Sequence, residues 1–236
     1  MEKQNCYKLI KNYKYITENL SEDLAKFLMI SQKELRTRLE RNYYVSNWYA
    51  EFMDQNNGDY FLWLQKSKFY LYNSTEWHIL VGIKSMCENH IFPSQENREC
   101  IDIGSGIGTH SIIDAILGWK ITLCEVNEHS LRFSKYRFRK YELEGKFITE
   151  IPCDQKYYLV RLWDVVGHLL NPIENFEKIL RLVSPEGGII ISFDNENISD
   201  FNRDWHKNNN ISFRKILISN GFMQETEHFW RKHIER

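Results

Sequence analysis

The stretch Ile101-Asp-Ile-Gly-Ser-Gly-Ile-Gly108 sets an apolar run holding one acid against three glycines on alternate positions. Gly104, Gly106 and Gly108 lack a Cβ, so the backbone can adopt positive φ and approach a ligand closely. At the carboxyl end of a strand, that is where open α/β sheets bind ligands. Glu125 follows Gly108 by seventeen residues, at the end of the next apolar run. A carboxylate there can accept both hydroxyls of a ribose, which implies an adenosine-containing cofactor. The nicotinamide spacing G-x-G-x-x-G fails, because Thr109 stands where its third glycine belongs. Asp102, two positions before Gly104, would oppose a pyrophosphate but suits the α-ammonium of a methionine moiety.

Such a turn must be held between a strand and a helix, and the chain from Arg98 onward alternates the two. Strands are expected at about 100–103, 121–124, 147–151, 158–163 and 189–193, with helices at about 109–117, 128–143 and 173–183. Gly118 suits the stop of the first helix and Pro172 the first turn of the third. The tail offers a helix at about 212–219, a stop at Gly221 and two strands at about 222–227 and 228–234. This alternation gives an α/β fold with a Rossmann-like, doubly wound, mostly parallel sheet. From Ser21 to about His90 the pattern is helical. Ser21 is expected to cap a helix carrying Leu24, Phe27 and Leu28, and Ser31-Gln-Lys-Glu34 has capping-box spacing. Asn56, Asn57 and Gly58 mark a turn, and Thr75 is expected to cap a helix with Leu80, Ile83 and Cys87 on one face. Residues 1–90 therefore read as a helical, aromatic-rich cap and 91–236 as the cofactor-binding domain.

The run Asp102-Ile-Gly-Ser-Gly-Ile-Gly108 resembles the first motif of class I S-adenosylmethionine-dependent methyltransferases, and Glu125 resembles that family's ribose-binding acid. Tyr157-Tyr-Leu-Val-Arg-Leu-Trp-Asp-Val-Val-Gly-His-Leu-Leu-Asn-Pro172 is similar to the fourth-strand segment of the small-molecule branch. Ile179-Leu-Arg-Leu-Val-Ser-Pro-Glu-Gly-Gly-Ile-Ile-Ile-Ser192 is similar to the helix, P-x-G-G turn and fifth strand that follow there. The resemblance covers about 98–193. It implies S-adenosylmethionine as cofactor and methyl transfer to an O, N or C atom of a small-molecule acceptor. It adds Val126, Asp154, Trp163 and Asp164 to the cofactor site, Asp154 as the adenine-binding acid or else a plain turn residue. Two positions depart from the pattern: Tyr158 stands for the usual aspartate, and Gly167 for the glutamate before the histidine. His168 is the candidate base, since an imidazole titrating near about 6.5 suits proton removal at neutral pH. Packing or substrate contact is the alternative. Protein or RNA methylation, and a non-catalytic cofactor-binding scaffold, are the rival functions.

Residues 43–77 hold twelve aromatics. Most are expected to pack between helices and sheet, while Tyr70, Tyr72 and Trp77 are candidates to line an acceptor pocket, where aromatic faces attract a cation and exclude water. His110 is expected to be exposed or structural, and Asn171-Pro172 to start a helix. The stretch Arg132, Lys135, Arg137, Arg139 and Lys140 is expected to be a solvated helix face. Thirty-one Lys plus Arg against thirty-two Asp plus Glu give a net charge of -1, no field for a polyanion, so nucleic acid is not the expected partner. No apolar run approaches the roughly 18 residues of a membrane span, and the first residues are polar and Lys-rich. A cytoplasmic protein without membrane attachment is expected. The five cysteines are scattered with no C-x-x-C pair, so neither a metal site nor disulfides are expected.

Overall fold

The computed structural model describes residues 3–40, 54, 59–80, 98–192 and 212–233. Helices α1 (Lys3–Glu18), α2 (Leu20–Leu28), α3 (Gln32–Glu40), α4 (Tyr60–Lys66) and α5 (Phe69–Leu80) precede strand β1 (Glu99–Ile103). There follow α6 (Thr109–Leu117), β2 (Lys120–Cys124), α7 (Glu128–Lys140), β3 (Lys146–Ile148) and β4 (Tyr157–Leu162). A 3₁₀ turn (Val166–His168), α8 (Pro172–Leu182), β5 (Val183–Ile191), α9 (Phe213–Ser219), β6 (Phe222–Gln224) and β7 (Phe229–Lys232) complete the described order.

The strands form one sheet in the order β3-β2-β1-β4-β5-β7-β6. β1 to β5 pair in parallel, and β7 lies antiparallel to both β5 and β6. The Rossmann-like, mostly parallel reading is thus the observed fold. Strand order reverses between β1 and β4, which opens a crevice beyond their carboxyl ends. The near-continuous burial of β1, β2 and β4 is what a parallel sheet covered on both faces requires. On one side Ile101, Val160, Phe176, Leu217 and Trp230 share a core. On the other, Tyr13 and Ile16 of α1 join Cys100, Ile112, Ile121 and Leu159. A third cluster joins Leu20, Leu24, Trp63, Leu71 and Tyr72 to Ile107 and Phe133, so the N-terminal helices pack directly on α6 and α7.

Gly118 ends α6 in the left-handed region (φ 99), and Pro172 occupies the first turn of α8, both as expected. Other boundaries move for identifiable reasons. Ser21 lies inside α2, which carries no side-chain cap, and its hydroxyl bonds Gln32 instead. Ser31 accepts the Glu34 N–H at 3.0 Å, but the Glu34 carboxylate turns to Arg38 at 2.5 Å, so half of the capping box forms. Thr75 does not start a helix: it sits within α5, its hydroxyl donating to the Leu71 carbonyl at 2.7 Å. Ile83, Cys87 and the turn at 56–58 lie outside the described residues. α7 stops at Lys140 because Glu142 turns left-handed (φ 55). β3 ends at Ile148, whose carbonyl receives the Glu125 N–H at 3.0 Å. β5 is already extended at Val183, paired with Tyr157 across a register shift, well before the expected start at 189.

Candidate functional site

Beyond β1 the chain turns through Gly104 (φ 67), Gly106 (φ 53) and Gly108 (φ 74). The N–H groups of Gly104 and Ser105 both reach the Cys124 carbonyl, at 2.8 and 3.3 Å, which ties the turn to β2. A Cβ on Gly104 would collide with Val165, and one on Gly108 would press on Ser134 and Leu123. Over Gly106 the nearest atom is Ser74 Oγ at 3.8 Å, so this backbone faces open space that a ligand can enter. Arg137 supports the turn from within the protein, donating to the Ile107 carbonyl at 2.8 Å and to Thr109 Oγ1 at 2.9 Å. Its burial pulls the guanidinium pKa down to about 10. The basic stretch is therefore not a uniformly solvated face: Arg132 and Arg139 are exposed, Arg137 is buried, and Lys140 pairs with Asp23.

Asp102 is only 3% exposed and accepts the Ser111 hydroxyl at 2.5 Å. Beside it on β4, in register, stands Arg161, fully buried and paired with Asp114 of α6. Burial pushes the Asp102 carboxyl up to about 6, with Arg161 and Ser111 pulling the other way. Burial works against the Arg161 charge too, but Asp114 and Asp102 outweigh it and raise its pKa. Glu125 accepts the Gly106 N–H at 2.6 Å on one oxygen and the Asn127 N–H at 2.7 Å on the other. Burial raises its pKa, opposed by those same donors. A carboxylate offers about four lone-pair sites, so Glu125 keeps capacity for ligand hydroxyls. Asn127 caps α7 by accepting the Ser130 N–H at 2.9 Å, and its amide donates to the carbonyls of Leu64 at 2.7 Å and Ser67 at 2.8 Å.

A cavity of about 310 Å³ joins these groups. Of the residues singled out in the sequence, Asp102, Gly104, Gly106, Glu125 and Val126 line it from the sheet side. Trp163, Asp164 and His168 line it beyond β4, and Tyr70 and Trp77 from α5. Asp164 takes a left-handed φ of 56, with its N–H donating to Ser192 Oγ at 2.6 Å. Three residues lie outside this lining. Gly108 forms the start of α6, Asp154 is exposed before β4, and Tyr72 is buried among the cap helices with its hydroxyl accepting from Arg38 at 2.8 Å. His110 is not exposed: it is buried on the cavity wall, its Nδ1 2.9 Å from the Tyr13 hydroxyl.

Arg161, Asn127 and His78 also help to build the site, although no motif in the sequence marks them. Arg161 had a signal, a charge in the middle of the apolar run Tyr-Tyr-Leu-Val-Arg-Leu, whereas Asn127 and His78 act on partners remote in sequence. An adenosine-containing cofactor with an amino-acid tail fits the donor set: open space over Gly106, a buried acid at Asp102 and spare lone pairs on Glu125. Among the described residues no group of three or more His, Cys, Asp or Glu could hold a metal ion, and no helix is long and apolar enough to cross a membrane.

No curated protein matches the chain. Among solved structures, a protein of Methanococcus maripaludis assigned as an S-adenosyl-L-methionine-dependent methyltransferase shares 20% identity over 65% of this chain and 84% of that one, with a TM-score of 0.46. A Haemonchus contortus phosphoethanolamine N-methyltransferase, in complex with S-adenosylhomocysteine, shares 17% identity over 56% of this chain, at a TM-score of 0.46. A protein of Galdieria sulphuraria assigned as a sarcosine dimethylglycine methyltransferase shares 19% identity over 40% of this chain, at a TM-score of 0.37. The matched part spans 34% and 38% of the last two proteins, and none of these likenesses bears on the acceptor. The family model described as a methyltransferase domain matches residues 84–230, well over half of the sequence. The chain belongs to the class I S-adenosylmethionine-dependent methyltransferases.

Proposed function

We propose that the enzyme works in the cytoplasm on a small-molecule O, N or C nucleophile, held between α5 and the carboxyl ends of β1, β2 and β4. One observation carries this reading: a single cavity of limited volume runs from Gly106 and Glu125 to Tyr70, Trp77 and His168, with α5 closing over it. In this reading Asp102, Gly104, Gly106, Glu125, Val126, Trp163 and Asp164 hold the cofactor, Gly108 shapes the turn, and Asp154 serves the chain before β4. Residues 1–90 form the cap and 91–236 the cofactor domain. When bound, S-adenosylmethionine supplies a methyl group on positively charged sulfur, open to in-line displacement. The task of the protein is then alignment, which can contribute about 7 to 11 kcal/mol, while Tyr70 and Trp77 exclude water. His168 can take or orient the proton of a hydroxyl or ammonium acceptor, a contribution of roughly 10² to 10⁴-fold.

Titration calorimetry with S-adenosylhomocysteine tests the cofactor half. Gly106→Arg fills the open space over the turn and is expected to abolish binding while the variant stays folded. Label transfer from methyl-tritiated S-adenosylmethionine tests the acceptor half, with label expected in small molecules. Label found only in added polypeptide or RNA, or binding without any transfer, would replace the small-molecule reading by one of its rivals.

A further inference from the structure

The cavity-facing residues of α5 are Tyr70, Asn73, Ser74, Trp77 and His78, spaced as one helical face. Ser74 stands opposite Gly106, and the two ends of the face meet different neighbours. At one end Tyr70 meets the His168 ring edge-on at 6.5 Å. At the other, His78 meets His110 at 5.6 Å, His110 meets Trp163 at 5.8 Å, and Trp163 meets His228 at 5.0 Å. This row of rings leads over β4 toward β5 and β7, whereas Glu125 lies on the opposite side of β1, just past the end of β2. His78 is thus on the half of the crevice away from the proposed ribose site.

His78 is 8% exposed, and its Nδ1 is buried with no hydrogen-bond partner among the described residues. Burial, with the Arg137 charge, pulls its pKa down to about 3, so the ring is neutral at working pH and can both donate and accept. A buried polar atom left without a partner weakens the fold, and leucine of similar size would remove that cost. A ligand that supplies the partner gives the residue a use. The lining around it is aromatic, through Trp77 and Trp163, and among the described lining residues there is no Lys or Arg to meet an anion.

We propose that His78 binds the methyl acceptor through a hydrogen bond at this end of the cavity, and that the acceptor is a flat, neutral molecule whose nucleophile carries an O–H or N–H. The proposal rests on the small-molecule reading above.

The test uses the full chain with a panel of phenols, indoles and arylamines set beside aliphatic amines, carboxylates and phosphorylated compounds, read by label transfer from S-adenosylmethionine. Turnover is expected within the first group. His78→Leu is expected to raise the KM for those compounds at least tenfold, with S-adenosylhomocysteine affinity within about twofold of wild type and an unchanged or higher Tm. His78→Asn, which keeps a polar atom near the Nδ1 position, is expected to recover most of the KM. A structural role would lower the Tm and leave KM alone. Unchanged KM in His78→Leu, loss of S-adenosylhomocysteine affinity in both variants, or no turnover with any flat neutral compound overturns the proposal. Turnover confined to carboxylates, phosphates or aliphatic amines overturns it while sparing the small-molecule reading; label only in polypeptide or RNA sinks both.

Discussion

Asp102 is held between opposing demands. Buried beside Arg161 and Ser111, its carboxyl titrates at about 6 instead of the ordinary 3.8, so the folded protein keeps the proton longer than the unfolded chain does. Stability from this group is therefore full below about pH 4 and is lost as pH rises through about 6, by a few kcal/mol at most. A ligand ammonium beside Asp102 acts in reverse, because it favours the ionised carboxylate. S-adenosylhomocysteine affinity is expected to strengthen from pH 5 to 7 by up to about tenfold per unit below the pKa, and Asp102→Asn to lose affinity and flatten that profile. Calorimetry across pH checks it; an equally steep profile in Asp102→Asn would move the effect to another group. Arg161→Ala leaves Asp114 and Asp102 buried without their cation, and is expected to cost about 3 to 5 kcal/mol in denaturant unfolding. At this scale the sequence was legible where function is local. The glycines, Asp102 and Glu125 announce themselves by spacing, whereas the low pKa and empty Nδ1 of His78 arise from neighbours brought up by folding. Tyr158, a departure from the family pattern, stacks on Trp119 at 6.3 Å and so serves packing.

The turn between β2 and α7 does more than join two elements. Asn127 caps α7, faces Glu125 through its backbone N–H, and holds the end of α4 through two carbonyls, 60 and 63 residues away in sequence. Asn127→Ala removes the cap and both bridges, so a loss of roughly 2 to 4 kcal/mol is expected, with faster amide hydrogen exchange along α4. The neighbouring Lys66–Glu128 pair, 3.1 Å apart but half exposed, is expected to matter little: Lys66→Ala should shift stability by less than about 1 kcal/mol. Equal losses in the two variants would mean that α4 docks by its apolar face alone. Strands and helices from 98 onward were readable because apolar runs, glycines and Pro172 report local structure. The start of α5 was not, because Thr75 bonds back to Leu71 inside the helix, and a hydroxyl in that role looks like a cap in sequence.

For the molecule as a whole, the mostly parallel sheet was legible and the docking of the N-terminal helices was not, since Tyr13 and Ile16 reveal their core role only against Ile112 and Leu159. Tyr13 also reaches His110 on the cavity wall across 97 residues of sequence. Tyr13→Phe keeps the packing and removes this contact. It is expected to cost under about 1.5 kcal/mol of stability, to spare S-adenosylhomocysteine affinity and to change acceptor KM, and steady-state kinetics on an acceptor substrate decides it. The position of β7 has a different consequence, for synthesis on the ribosome. β7 is the last described strand, yet it lies between β5 and β6, so β6 emerges before the strand it must pair with. Until β7 arrives, β5 offers the apolar edge Gly187 to Ile191 unpaired, an invitation to pairing between nascent chains. A nascent chain that stalls between β6 and β7 would carry most of the sheet and an adhesive edge at once.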